Sequence, residues 1–428
     1  MIDPWILAAV ALGYIGVLFA IAAFGDRPGR RGLVRGPWVF ALSMAVYCTA
    51  WTFYGSVGRA ASTGIGFLPI YLGPTLAAAL AWVLLRKMVR ISKRHSITSI
   101  ADLVAARYGK SRGLGALVTG VVVFGSVPYL ALQLKAVAAS YLLLVDGGDA
   151  GDEAALLRAS FAVATVLAAF AILFGTRHLD LTEQHAGMVL AVAFESVVKL
   201  VAFLALGAWV VFALYDGPRE LFGDALARPD VARLFTFDIG WDSWMWMVFL
   251  AWSAILFLPR QFQVGVVECT DEGHLRRASW VLPLYLLLIN VFVLPIAVAG
   301  RLRFDGAFPP VDADTFVLSL PLAEGQTALA LLVFLGGLSA ATGMVIVECV
   351  ALSTMVANDL VLPLVLEPAL GDEGADLGRR LLTIRRVAIV GVLLLGQLYL
   401  VVVGIGVPLV SIGLVSFAAI AQLTPAIL

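Results

Sequence analysis

Residues 36–58 read GPWVFALSMAVYCTAWTFYGSVG, residues 67–85 read FLPIYLGPTLAAALAWVLL, and Arg86, Lys87, Arg90, Lys93 and Arg94 follow. Each apolar stretch is close to the roughly 20 residues a helix needs to cross bilayer hydrocarbon. The basic cuff marks where the chain leaves the lipid. The pattern repeats through all 428 residues, of which 61% are hydrophobic and 14% charged. Mean hydropathy is +0.98. Water cannot solvate most of such a surface, so the fold class is an all-α polytopic membrane protein.

The charges and cysteines exclude other classes. Twenty-nine basic and 29 acidic residues cancel and leave no global field to draw a nucleic acid. Cys48, Cys269 and Cys349 have no paired spacing and read as reduced structural thiols rather than a disulfide scaffold or zinc site. Met1 to Phe24 has no basic residue ahead of its apolar run and no cleavage site after it, so it reads as a retained span. No cluster of Asp, Glu and His, zinc motif or nucleotide fingerprint is present, and no catalytic residue is assigned.

Eleven spans are expected: Pro4–Phe24, Gly36–Gly58, Phe67–Val89, Leu114–Val145, Ser160–Gly175, Gly187–Tyr215, Trp244–Leu258, Val281–Gly300, Ala328–Leu362, Val387–Val403 and Gly406–Leu423. Ser160–Gly175 and Trp244–Leu258 are short, which points to a thin or interrupted crossing. Alternate connections, from Arg27 through Arg86–Arg112, Arg177, Arg260–Arg277 and Arg379–Arg386, hold 20 of the 29 Lys and Arg. By the positive-inside rule that side is cytoplasmic and the amino terminus lies outside. Gly217–Ser243 and Arg301–Gln326 read as partly helical outer connections, and Ser99–Tyr108 as a short amphipathic helix on the inner surface.

A charge at membrane depth costs roughly 2.5–3.5 kcal/mol on insertion scales, so each one needs a partner or a task. Glu195 and Lys199 are four apart on one helix face and form either a structural charge pair or a gate or proton-coupling pair. Glu348 has no basic neighbour at helical spacing and is either protonated or bonded to another helix. Lys135 follows Tyr129 and Gln133, which point to a polar cavity. Tyr47, Thr49, Trp51 and Tyr54, dense in hydroxyls and rings, suit a helix unwound around a small polar ligand, although the same residues also serve ordinary packing. Trp252 is the deepest of three tryptophans opening the seventh span. Pro259, Arg260 and Gln261 then mark either the inner membrane boundary or a gate.

Ser96–Gly109 (SITSIADLVAARYG) resembles the cytoplasmic signature of the sodium/solute symporter family. Tyr47–Gly55, Gly25-Asp26-Arg27, Pro259–Phe262, Glu268, Asp271-Glu272 and His274–Ala278 resemble its branch that forms the N-terminal membrane part of sensor histidine kinases. The resemblance spans essentially the whole chain. It implies a leucine-transporter-like bundle of two inverted five-helix repeats, 36–215 and 241–428, with residues 1–35 as a peripheral first helix. The second and seventh spans would be broken, with the solute between them.

The resemblance also implies an inner-membrane sensor or transporter for a small polar nutrient, an amino acid such as histidine. Its partners would be the lipid bilayer, the solute, downstream kinase domains, a response regulator and a second copy in a homodimer. ATP and magnesium would belong to kinase domains beyond this chain, which itself needs no cofactor. The alternatives are an ordinary amino-acid symporter and a degenerate module that carries nothing. Sodium coupling is expected to be weak or absent. At the family's cation positions stand Ala45 and Cys48 on one helix and Ala340, Gly343 and Met344 on the other, and a thioether is a poor ligand for a hard cation. Proton coupling through Glu195 or Glu348, or a ligand-only mode, would take its place.

Overall fold

The computed structural model describes residues 2–27, 34–147, 152–175, 184–236, 240–306, 311–366, 377–403 and 406–428. Arg30, Arg31, Arg177 and His178 lie outside them. Among the described residues, eight helices are long and apolar enough to cross a membrane, ten when each bent pair counts as one span. The second span falls outside that count because it is divided.

Proline and short polar side chains set where helices begin. Pro4, Pro37, Pro69 and Pro259 each open a helix, where the missing N–H is no loss. Ser99 caps Ile100–Arg107 by accepting from the Asp102 amide, while the Asp102 carboxylate accepts from the Thr98 amide. Asp152 accepts from Ala155 N and supports the start of Glu153–Gly175. That helix is therefore a full 23 residues, and the expected thin fifth crossing is corrected. The eighth span also grows beyond Val281–Gly300, to His274–Phe304.

Two spans break. In the second, Pro37–Ser43 tightens through Met44–Tyr47, opens at Cys48 and Thr49, and resumes in a wide turn at Trp51–Gly55 before Ser56–Thr63. The seventh, expected over Trp244–Leu258 and implied by the resemblance to be broken, continues beyond Leu258. Trp241–Phe257 stops there, where Leu258 takes φ −60° and ψ 137°, and the chain re-enters helix at Pro259–Phe262 and a wide turn at Gln263–Val267, bent by 52°. Pro259 forces that break, because its ring excludes continuation of the preceding helix. The segment after it packs against Met44–Tyr47, so the two breaks face each other.

The halves of the bundle echo one another. After each broken span comes an interrupted one: Pro69–Ala79 with Leu84–His95, bent by 65°, and His274–Asn290 with Val293–Phe304. A short helix follows in each half, Ile100–Arg107 and Phe316–Ala323, and then a long span of 35 or 37 residues, Arg112–Asp146 or Thr327–Pro363. Because an odd number of crossings separates the halves, they run oppositely through the membrane. The ninth span lies at the centre, with 83% of its apolar window buried, whereas the first has 22% and faces lipid. Asp26 and Tyr14 anchor that first helix, one accepting from Gly187 N at 2.8 Å, the other sharing a 2.7 Å hydrogen bond with Ser339.

Candidate functional site

The first break frees backbone groups that side chains of the fourth span take up. Gln133 Oε1 accepts from Ala50 N at 3.1 Å, and Tyr129 OH shares a 3.0 Å hydrogen bond with Thr49 Oγ1, which also accepts from Trp51 N. Tyr129 and Gln133 are four residues apart on one helix face, so both reach the same opening. Tyr47 donates to the Ile70 carbonyl at 2.8 Å. Tyr47, Thr49, Trp51, Tyr129 and Gln133 are all buried and meet at this point.

Rings from three spans close around it. Trp51 and Phe417 lie 4.7 Å apart between centroids, Tyr129 stacks on Phe417 at 5.8 Å, and Tyr47 completes the set at 6.2 Å from Phe417. Such pairs add about 0.5–1.5 kcal/mol each beyond burial. Trp51 fits because Gly413 leaves room: any Cβ there would enter the indole ring. The sequence reading missed Phe417. It stands as a lone large ring in Ser416-Phe417-Ala418-Ala419, four residues after that glycine, a pattern with no functional mark of its own.

The second break places Arg260 at the same centre. It is fully buried, not at the inner boundary. Its backbone N–H and Nη1 both donate to Glu348 Oε2, at 3.3 and 3.2 Å, and its guanidinium carbon lies 4.2 Å above the Tyr129 ring. The partner of Glu348 therefore comes from another span, as one of the two expected arrangements required. Desolvating both charges is costly, and breaking such a pair by removing one member costs about 3–5 kcal/mol.

Two expected residues stand apart from this cluster. Tyr54 lines a small cavity of about 20 Å³ with Lys135, Asp312 and Asp314 near the outer connection. Trp252 is only half-buried and pairs with Phe249 and Phe257. Its backbone abuts Gly73 of the third span.

The candidate cation positions hold a charge of the protein's own. Lys199 Nζ donates to the Ala45 and Cys48 carbonyls at 2.8 and 2.6 Å. Glu195, one turn earlier, accepts from Thr342 Oγ1 at 2.5 Å and presses against Gly343. Ser339 donates to the Leu335 carbonyl and meets Tyr14. Ala340, Gly343 and Met344 supply no side-chain oxygen. A sodium ion would need the carbonyl lone pairs the ammonium holds, and would sit against a like charge. The residues do not fit it. Among the described residues, no group of three or more His, Cys, Asp or Glu is placed to hold a metal.

The basic side is latched. Arg86 and Arg90 pair with Glu272 at 2.9 Å, Lys93 donates to the Thr270 carbonyl, and Glu268 accepts from the His185 amide and from Gln263. Glu272 is held below the usual carboxylate range by hydrogen bonds from Arg90 and Arg86. These contacts tie the end of the seventh span to the third and sixth.

No family model matches the chain. Its sequence is 27% identical over 295 residues to the "Uncharacterized symporter YhjB" of Bacillus subtilis (strain 168), covering 66% of this chain and 55% of that protein. The match thus spans little more than half the relative's own length. In structure the chain is similar to a Na+-coupled sialic acid symporter in a substrate-bound outward-open state. The TM-score is 0.67 and the identity 14%, covering 92% of this chain and 82% of the other.

The fold, with its paired breaks, defines a multi-pass membrane protein of the symporter-like, inverted-repeat class. More particularly, it is the fold that a Na+-coupled solute symporter adopts.

Proposed function

We propose that the chain is a secondary carrier for a small polar solute, an amino acid, which it binds between the second and seventh spans. The observation that carries this reading is the meeting of two broken crossings around buried polar side chains in the interior of the bundle. Unwound backbone at such depth is tolerated where it lines a cavity or is enclosed by protein. Alternating access then follows if the solute binds one arrangement of the two halves better than the other. Tyr47, Thr49, Trp51, Tyr129, Gln133 and Arg260 would surround the solute. Tyr54 and Trp252 would lie on its path or outside it.

The similar sequence and the similar structure described above are both of symporters, which favours an ordinary carrier over control of an attached histidine kinase and a response regulator. We further propose that sodium does not drive it, because Lys199 holds the carbonyls that a sodium ion would need. The test is uptake of radiolabelled amino acids into proteoliposomes with and without a sodium gradient. Uptake in both conditions at similar rates is expected. Uptake abolished without sodium overturns the coupling assignment, and absence of uptake of any small polar solute overturns the carrier reading.

A further inference from the structure

At the second break lies a donor fork with nothing to hold. Arg260 spends its backbone N–H and Nη1 on Glu348 Oε2 and its face on Tyr129, but Nε and Nη2 have no hydrogen-bond partner. These two N–H groups share one edge of the planar guanidinium and point in parallel, the geometry a carboxylate accepts with both oxygens. Leaving a buried donor unmade costs about 1–3 kcal/mol, more for a charged one. Glu348 Oε1, Trp51 Nε1 and the side-chain amide of Gln261 are also buried without partners. An ion pair kept only for structure normally exhausts its hydrogen bonds within the protein.

We propose that Arg260 holds the carboxylate of the carried solute through Nε and Nη2, and that Glu348 Oε1 receives its ammonium. The substrate class is then a zwitterionic amino acid. This deepens the carrier reading and rests on it. Charge supports the choice: Arg260 and Glu348 cancel, so a neutral zwitterion adds no net charge to a dry site, whereas a lone anion adds one. A sugar or polyol leaves the fork without its anion. The rings of Tyr47, Trp51, Tyr129 and Phe417 supply an apolar wall for the solute's side chain.

The test begins with thermal unfolding of the purified natural protein against the standard L-amino acids, with sugars and polyols as controls. The best-binding amino acid is then compared with its carboxamide, which keeps the ammonium, and with its α-hydroxy acid, which keeps the carboxylate. Both analogues are expected to bind at least about 100-fold more weakly, because each leaves half of a buried charged pair unmet. Arg260→Lys, which keeps the charge and loses the fork, is expected to weaken amino-acid binding at least about tenfold while unfolding cooperatively. If that variant does not fold, the analogue comparison on the natural protein decides. A carboxamide that binds as tightly as its amino acid overturns the role of Arg260 and leaves the carrier reading standing, whereas stabilisation by sugars alone overturns both that role and the amino-acid assignment. Stabilisation by no small solute contradicts the carrier reading as well.

Discussion

At the scale of single residues, the decisive placement is Lys199, whose ammonium sits on two carbonyls released by the first break. Lys199→Met leaves those carbonyls unpaired and Glu195 buried without a nearby cation. It is expected to cost about 3–5 kcal/mol, read as a loss of denaturant stability. Adding Glu195→Gln should recover part of that loss; purely additive losses would show that the two side chains act independently. Gly413→Val forces a branched side chain into the Trp51 ring, and thermal unfolding should report a loss of about 1–3 kcal/mol. An unchanged midpoint would remove Gly413 from the account. The sequence showed that Lys199 and Glu195 needed an explanation, because charges in apolar helices are expensive. It did not show the carbonyls, since those depend on where the second span unwinds. Phe417 stayed hidden for a related reason: one ring in an apolar span carries no mark of the cavity it faces.

At the scale of elements, the resemblance implied that the second and seventh spans break, while the residues by themselves left both breaks open. Thr49 and the rings around it suit an unwound helix and ordinary packing alike, so composition did not decide for an interruption near Tyr47. Pro259-Arg260-Gln261 likewise has the composition of either an exit from the membrane or a gate. Only Glu348, 88 residues further on, makes Arg260 tolerable in the interior. The outer connection carries a pH-dependent contact. Burial, helped by the neighbouring Asp312, pushes the Asp314 carboxyl up to about 6, while its Oδ2 accepts from Leu409 N at 3.0 Å. A carboxyl whose folded value is raised favours the protonated state. The Leu409 hydrogen bond itself favours the ionised form, but burial outweighs it, so the folded arrangement here is most stable at low pH and loses stability as pH rises from the ordinary 3.8 through about 6. Hydrogen exchange over residues 311–323, corrected for intrinsic rates, should be slower near pH 5 than near pH 7.5. Asp314→Asn should erase the difference, and equal protection in the natural protein would contradict the assignment.

At the scale of the whole molecule, composition and periodicity were sufficient for a membrane bundle, because lipid leaves the backbone few ways to satisfy itself. The inverted relation between halves became visible in the repeated order of broken span, interrupted span, short helix and long helix. No single window of sequence contains that order. The central claim is that the two breaks enclose the solute. The most direct measurement is a cryo-EM map of the protein saturated with the amino acid that stabilises it most. The account predicts added density bounded by Trp51, Tyr129, Phe417 and Arg260. Density in a groove at either membrane face, with that centre unchanged from the solute-free map, would contradict it.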